Sequence, residues 1–249
     1  MSGHSKWSTI KHAKGIADAK RGQMFTKFIK EISIAAKMGG GDPASNPRLR
    51  TAILKARAAS MPKDNIERAI KKGTGETGAA SYEELVYEGY APGGVAVLVE
   101  VLTDNKNRAA ANVRNYFSKN GGNLGTTGSV SRMFDRKGVI EYDAEKVSED
   151  EIMEVALDAG AEDIVNEEGV ITVTTDPAAF DKVLEILQGK EYESLSAAIS
   201  MVPQAYTAVD MDTAKKVQKL ISKLEEDEDV QNVYTTVEFP DDFDPDSVA

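Results

Sequence analysis

Between about Ala17 and Lys37 the apolar residues Phe25, Phe28, Ile29, Ile32 and Ala36 recur at intervals of three and four, the spacing that turns one face of a helix toward a core. Gly39, Gly40 and Gly41 end it. A second helix opens where Asn46 caps and Pro47 fits the first turn, with Leu49, Ile53, Ala56 and Ala59 inward. Pro62 separates it from a third helix, about Lys63 to Lys72, whose Ile66, Ala69 and Ile70 face inward and whose end places Gly73 where a left-handed cap is wanted. Three short helices with one shared seam predict a small bundle. Ahead of them, residues 1–16 offer Trp7, Ile10 and Ile16 but no helical stripe, which reads as an arm that an anionic partner would order.

Beyond residue 80 the period shortens. Tyr82 to Tyr90, the turn Pro92-Gly93-Gly94 and Val95 to Leu102 predict paired strands, followed by a helix over about Lys106 to Lys119. Gly121, Gly122, Gly125 and Gly128 make a loop leading to a strand over Val130 to Asp135, and Gly138 breaks the chain again. Residues 137–202 then read as a self-contained βαββαβ segment. Its parts are strand Val139 to Tyr142, helix Ser148 to Ala159 with a Ser148–Glu151 capping box, strands Asp163 to Asn166 and Val170 to Thr174, helix Pro177 to Leu187 and a closing stretch to Val202. Strand Ala205 to Val209, helix Asp212 to Leu224 and strand Val230 to Phe239 are half of the same pattern, and Val95 to Asp135 is its other half.

The expected fold class is therefore α+β and multi-domain: an N-terminal three-helix domain (1–80) plus two ferredoxin-like α/β domains, one inserted in the other. The outer one takes 81–136 and 203–240, the inserted one 137–202. The acidic tail, 241–249, reads as solvated.

Charge changes this picture more than composition does. The net −11 divides into a first part, residues 1–80, with 16 Lys and Arg against 6 Asp and Glu, and a remainder with 14 against 35. A positive end attracts polyanions through counterion release, while an acidic body confines contact to that end. The absence of cysteine excludes disulfides, thiolate zinc sites, iron–sulfur clusters and a cysteine nucleophile, and suits a reducing cytosol. No apolar run approaches the roughly 18 residues of a membrane span.

His4 and His12 lie eight residues apart in the arm without carboxylates to orient them, so neither a triad nor a metal site is expected. Carboxylate runs such as Glu225 to Asp229 read as a solvated loop rather than an acid–base pair. Gly73, Gly75 and Gly78 match the dinucleotide fingerprint in spacing, but they follow a helix instead of a strand. No catalytic residue, cofactor or metal is expected.

The chemistry sits in the arm and the first helices. Lys6, Lys11, Lys14, Lys20, Arg21, Lys27 and Lys30 are interleaved with Trp7, the single tryptophan; lysines neutralise phosphates while an indole stacks on an unpaired base, worth about 1–3 kcal/mol. His4 and His12 add proton-dependent charge beside them. Arg48, Arg50, Lys55 and Arg57 on the second helix, and Lys63, Arg68, Lys71 and Lys72 around the third, extend the positive surface. The alternative for Trp7 is to fold back on the bundle while the lysines only solubilise it.

Several stretches resemble the YebC family: Gly3-His4-Ser5-Lys6-Trp7, Arg48-Leu49-Arg50-Thr51-Ala52-Ile53, and Met61 through Gly73. Tyr87 to Gly94, Thr103-Asp104-Asn105-Lys106-Asn107-Arg108 and Gly121-Gly122-Asn123-Leu124-Gly125 resemble it as well. The resemblance implies a helical N-terminal domain with two α/β domains. It also implies a role in gene expression, since some members are described as DNA-binding transcriptional regulators. Others, including the mitochondrial translational activator of cytochrome oxidase, are linked to translation and to ribosomes slowed at proline-rich stretches. With the Gly3–Trp7 motif so near the initiator, the expectation is a bacterial, cytoplasmic protein without an organellar presequence.

Three functions follow as expectations. A non-enzymatic, ribosome-associated translation factor would send the arm into an RNA-lined space. A DNA-binding transcription regulator would seat the bundle on duplex phosphates. An enzyme acting on a nucleotide or RNA has only glycine loops and scattered carboxylates in its favour. The expected partner is nucleic acid, ribosomal RNA or DNA, and with it the ribosome; no membrane is expected, and the sequence leaves the oligomeric state open.

Overall fold

The structure is a computed structural model that describes residues 18–78, 81–167, 169–190 and 192–245, with side chains from residue 22 onward. Among the described residues, seven α-helices, two four-stranded antiparallel sheets and one parallel strand pair make an α+β protein. They gather into two compact units. One takes the described residues of Ile16–Ser131, Val209–Thr235 and Pro240–Ala249; the other takes Arg132–Ala208 and Thr236–Phe239.

The first unit begins with helices α1 (Asp18–Gly39), α2 (Pro47–Ala58) and α3 (Lys63–Thr74). Their seam is the predicted one: Ile32, Ala35, Ala36, Leu49, Ala52, Ile53, Ala56, Ile66 and Ala69 are buried, with Phe25, Phe28, Ile29 and Ile70 packed against them. Asn46 does more than cap. Its Oδ1 accepts from Leu49 N at 3.1 Å while its buried Nδ2 donates to the carbonyls of Ala35 and Gly40, each at 2.8 Å, so one amide closes the end of α1 and starts α2.

Gly73 has another role than the expected cap. α3 runs on to Thr74 and the left-handed residue is Gly75, at φ 87°. Gly73 lies inside the helix where a Cβ would stand 2.3 Å from the Ser33 carbonyl oxygen, and that close approach of α3 to α1 is what glycine permits.

The same unit carries a four-stranded antiparallel sheet of β1 (Glu83–Tyr90), β2 (Ala96–Thr103), β3 (Asn123–Leu124) and β9 (Val230–Thr235), in the order β3-β1-β2-β9. Its helices are α4 (Lys106–Lys119), capped by Asn105, and α7 (Met211–Glu225), capped by Asp210. β2 is buried at every residue but Glu100. This is the reason its sequence is a near-continuous apolar run rather than an alternation.

In the second unit β4 (Phe134–Asp143), β5 (Ala161–Glu167), β6 (Val170–Thr175) and β7 (Ser196–Pro203) pair in the order β5-β6-β4-β7, antiparallel throughout, with helices α5 (Glu149–Ala159) and α6 (Phe180–Gln188). That is the ferredoxin-like order for βαββαβ. The core joins Ile140, Tyr142, Ile152, Ala156, Ile171, Val173, Val183 and Leu187.

Four local expectations differ. Residues 131–133 form a short 3-10 turn instead of the start of a strand, and β4 runs through Gly138 without a break. Gly138 is there for closeness: a Cβ would lie 2.2 Å from Thr175 Oγ1 and 2.7 Å from Phe180 Cδ2. Ser148 precedes α5 without a side-chain capping bond, so the capping box does not close. The expected strand Ala205 to Val209 shrinks to β8 (Thr207–Ala208), which pairs in parallel with β10 (Val237–Glu238) as a two-stranded sheet of its own.

Candidate nucleic-acid interface

His4, Lys6, Trp7, Lys11, His12 and Lys14 lie outside the described residues, as does the arm they belong to. Lys20 and Arg21 lie on α1, with side chains outside the description. The remaining cations divide into those engaged within the chain and those on its surface.

Lys27 and Lys30, one turn apart on α1, reach the last residue of α7 and the segment after it. Lys27 Nζ donates to the Glu225 carbonyl at 2.6 Å. Lys30 is buried, its ammonium 2.6 Å from Asp229 Oδ1 and 2.8 Å from the Glu228 carbonyl. Arg108 completes the Asp229 carboxylate from the other side, with Nη2 at 2.8 Å and Nε at 3.2 Å, and holds Asp104 at 2.9 Å. Burial works against the Asp229 charge, but Lys30 and then Arg108 hold its pKa below the ordinary aspartate value.

Beside it, Asp227 accepts from Asn112 Nδ2 at 2.9 Å and from the Tyr116 hydroxyl at 3.0 Å. Burial first, and Asp227 second, push the Tyr116 hydroxyl up to about 12. Lys30, Asp104, Arg108, Asn112, Asp227 and Asp229 line a polar cavity of about 500 Å³ with Tyr82 and Glu228. The acidic run Glu225 to Asp229 is thus no solvated loop: Asp227 and Asp229 are buried. The sequence signal was the alternation Asp227-Glu228-Asp229, which turns alternate carboxylates inward.

Arg48 is a clamp. Its guanidinium grips Glu31 in two-pronged fashion, Nε to Oε1 at 2.7 Å and Nη2 to Oε2 at 3.1 Å, and also binds the Glu84 carboxylate, tying α1, α2 and β1 together. Burial opposes its charge, yet the two glutamates raise its pKa above the ordinary arginine value. Lys72 donates to the Tyr82 hydroxyl at 3.1 Å and stands 5.2 Å from the centre of that ring.

The outward set is smaller. Arg50 is exposed and bonds the Pro43 and Ala44 carbonyls at 3.1 and 3.3 Å; Arg57 and Lys71 are exposed. Lys55 is exposed overall, yet protein around its ammonium lowers its pKa against the pull of Glu31 and Glu100. Lys63 pairs with Glu67 at 3.6 Å, and Arg68 folds onto Asp64 O and Asn65 Oδ1 of its own helix. Arg50, Leu54 and Arg57 recur at four and three on α2, so two cations flank an exposed leucine on one face.

Among the described residues no group of His, Cys, Asp and Glu has the arrangement of a metal site, and no helix is long and apolar enough to cross a membrane.

Residues 5–76 match the family model described as the TACO1/YebC protein N-terminal domain, and 82–237 match that of the TACO1/YebC second and third domain. A Treponema denticola protein is 76% identical over 98% of each chain, and one from Syntrophus aciditrophicus is 58% identical over 98% of each; both are named probable transcriptional regulatory protein. A crystal structure titled as a conserved hypothetical protein from Aquifex aeolicus superposes with a TM-score of 0.87 at 48% identity, covering 96% of this chain and 98% of that one.

Proposed function

The chain belongs to the TACO1/YebC family, and from that premise we propose that it is a nucleic-acid-binding regulator of gene expression, acting on transcription, that binds without catalysing a reaction. The observation that carries the binding is the charge division, 16 Lys and Arg against 6 Asp and Glu in residues 1–80 and 14 against 35 beyond. Such a chain meets phosphate with one end and is repelled along the other. The transcriptional role is supported by the names of relatives that span nearly the whole chain. The cytosol is the proposed place of action.

A second reading, a ribosome-associated factor that eases elongation at proline-rich stretches, draws on the engagement of the helical cations. Sequence-specific duplex readout relies on side chains free to pair with base edges. On α2 and α3, Arg48 is clamped by Glu31 and Glu84 and Arg68 is turned back on its own helix. Contact would then fall to Lys6, Trp7, Lys11 and Lys14, a set suited to unpaired bases. Crosslinking the chain in cells and sequencing the attached nucleic acid separates the two. Promoter DNA is the result expected for the first, ribosomal RNA would replace it with the second, and neither would remove both.

A further inference from the structure

The region beyond residue 80 is acidic, yet one concave place in it is cationic. A pocket of about 400 Å³ is lined by Pro92, Lys119, Asn120, Gly121, Lys216 and Lys219, with no carboxylate among these residues. Three of the 14 cations in a stretch with 35 carboxylates converge there.

Two glycine turns far apart in sequence build it. β1 ends in the turn Pro92–Gly94, and α4 ends in Asn120-Gly121-Gly122 leading into β3. β3 pairs with β1 through Tyr90 and Asn123, and this register sets the two turns side by side. Gly121, at φ 76°, lies against Pro92, its Cβ position 3.4 Å from the proline Cγ. Gly122 comes so close to the Tyr90 carbonyl that a Cβ would stand at 2.7 Å. Gly93, at φ 79°, meets Thr213 and Val209 at the start of α7, at 2.9 and 3.2 Å from its own Cβ position. The first turn is thereby seated on the helix that presents Lys216 and Lys219.

The three lysines are exposed and carry no hydrogen bond or ion pair to any described residue, in contrast to Lys27, Lys30, Arg48 and Lys72. Lys216 acts through space on Asp210, the cap of α7, whose carboxylate is held chiefly by Thr213. Like charges around one hollow repel each other, and a dianion entering it is attracted by all three. The volume is at the small end of ligand pockets, enough for a phosphate with the group it esterifies and too little for a duplex.

We propose that this pocket binds a phosphate oxyanion through Lys119, Lys216 and Lys219. A nucleic-acid backbone is the source that deepens the function above and rests on it; free phosphate is the other source of the same chemistry.

The test follows the backbone amides of Gly93, Gly94 and Gly121 by nitrogen-15 NMR on the full chain at constant ionic strength. One arm adds inorganic phosphate, the other a 12-nucleotide single-stranded RNA. Saturating shifts are expected in at least one arm, lost in Lys119→Ala/Lys216→Ala/Lys219→Ala and kept in the matching triple Arg variant. Shifts with RNA alone identify the backbone, and shifts with phosphate that RNA does not displace identify the free ion. Where RNA is the ligand, the alanine variant should also flatten the salt dependence of its affinity by about 0.7 log units per log unit of salt, the value for the one phosphate lost. No shift with either probe, or shifts that survive the alanine variant, would overturn the site. If that variant loses its phosphate shifts but binds RNA with an unchanged slope, while Lys6→Ala/Lys11→Ala/Lys14→Ala loses affinity, the nucleic-acid reading stands and free phosphate, not the backbone, is the pocket's ligand. If RNA fails to bind the wild type at low salt while phosphate still fills the pocket, the reading falls and the site stands.

Discussion

The polar cavity around Asp229 and the lysine pocket beside Gly121 lie in the same unit and both draw on α4, but their charges are treated in opposite ways. In the first, Lys30 and Arg108 close on Asp229 while Asn112 and Tyr116 close on Asp227, so each buried carboxylate finds its partners inside the fold. In the second, three ammonium groups share a hollow without a carboxylate. A cation whose partner lies inside the fold is part of the architecture; one left without a partner on a built surface is available to a ligand. A count of lysines in sequence therefore overstates a binding surface until the internally paired ones are removed.

The largest break in this comparison should come from Asp229→Ala. It leaves the buried Lys30 ammonium uncompensated, a change that costs about 3–5 kcal/mol and is read by denaturant unfolding. Lys216→Ala/Lys219→Ala, on the exposed side, should stay within about 0.5 kcal/mol of wild type per substitution. Equal losses in the two would erase the distinction.

Gly73→Ala comes next. With Ser33 O 2.3 Å from the added Cβ, α3 must move from α1, and overpacking of this kind costs about 1–3 kcal/mol; a melting temperature unchanged from wild type would show that the helices are not held so closely. Asn46→Ala should cost about 0.5–2 kcal/mol through the lost cap, with the α1 carbonyls of its Nδ2 bonds adding to the deficit.

The smallest effect is a pH dependence. Burial disfavours the Glu88 charge, but the amides of Gly128, Val130 and Ser131, each at 2.8 Å, hold its pKa below the usual glutamate value. Asp229 is depressed likewise by Lys30 and Arg108. Both groups bind protons more readily when unfolded, so their stabilisation is present above the unfolded carboxylate pKa of about 4 and is lost as pH falls through the lower folded values. Glu88→Gln should make the acid limb of a stability–pH curve shallower; an unaltered limb would show that the nest of amides contributes nothing.

Much of this fold was legible because it rests on periodicity and caps. The seam of α1 to α3, the Asn46–Pro47 start and the order of the βαββαβ segment all follow from local spacing. What spacing could not supply was distance across the fold. Gly73 and Gly138 looked like punctuation, whereas each permits a backbone or side chain more than thirty residues away to come close. Asp229 looked solvated because its partners, Lys30 and Arg108, are 199 and 121 residues distant. The lysine pocket was hidden for the same reason: Lys119 and Lys216 are 97 residues apart and come together through the pairing of β1 with β3 and the seating of Gly93 on α7.

The proposed function depends most on the cationic leading end gripping phosphate, and the salt dependence of affinity for duplex DNA measures that directly. Between the wild type and Lys6→Ala/Lys11→Ala/Lys14→Ala, the log-affinity against log-salt slope should flatten by up to about 0.9 for each phosphate no longer neutralised. An identical slope for the two proteins would contradict it.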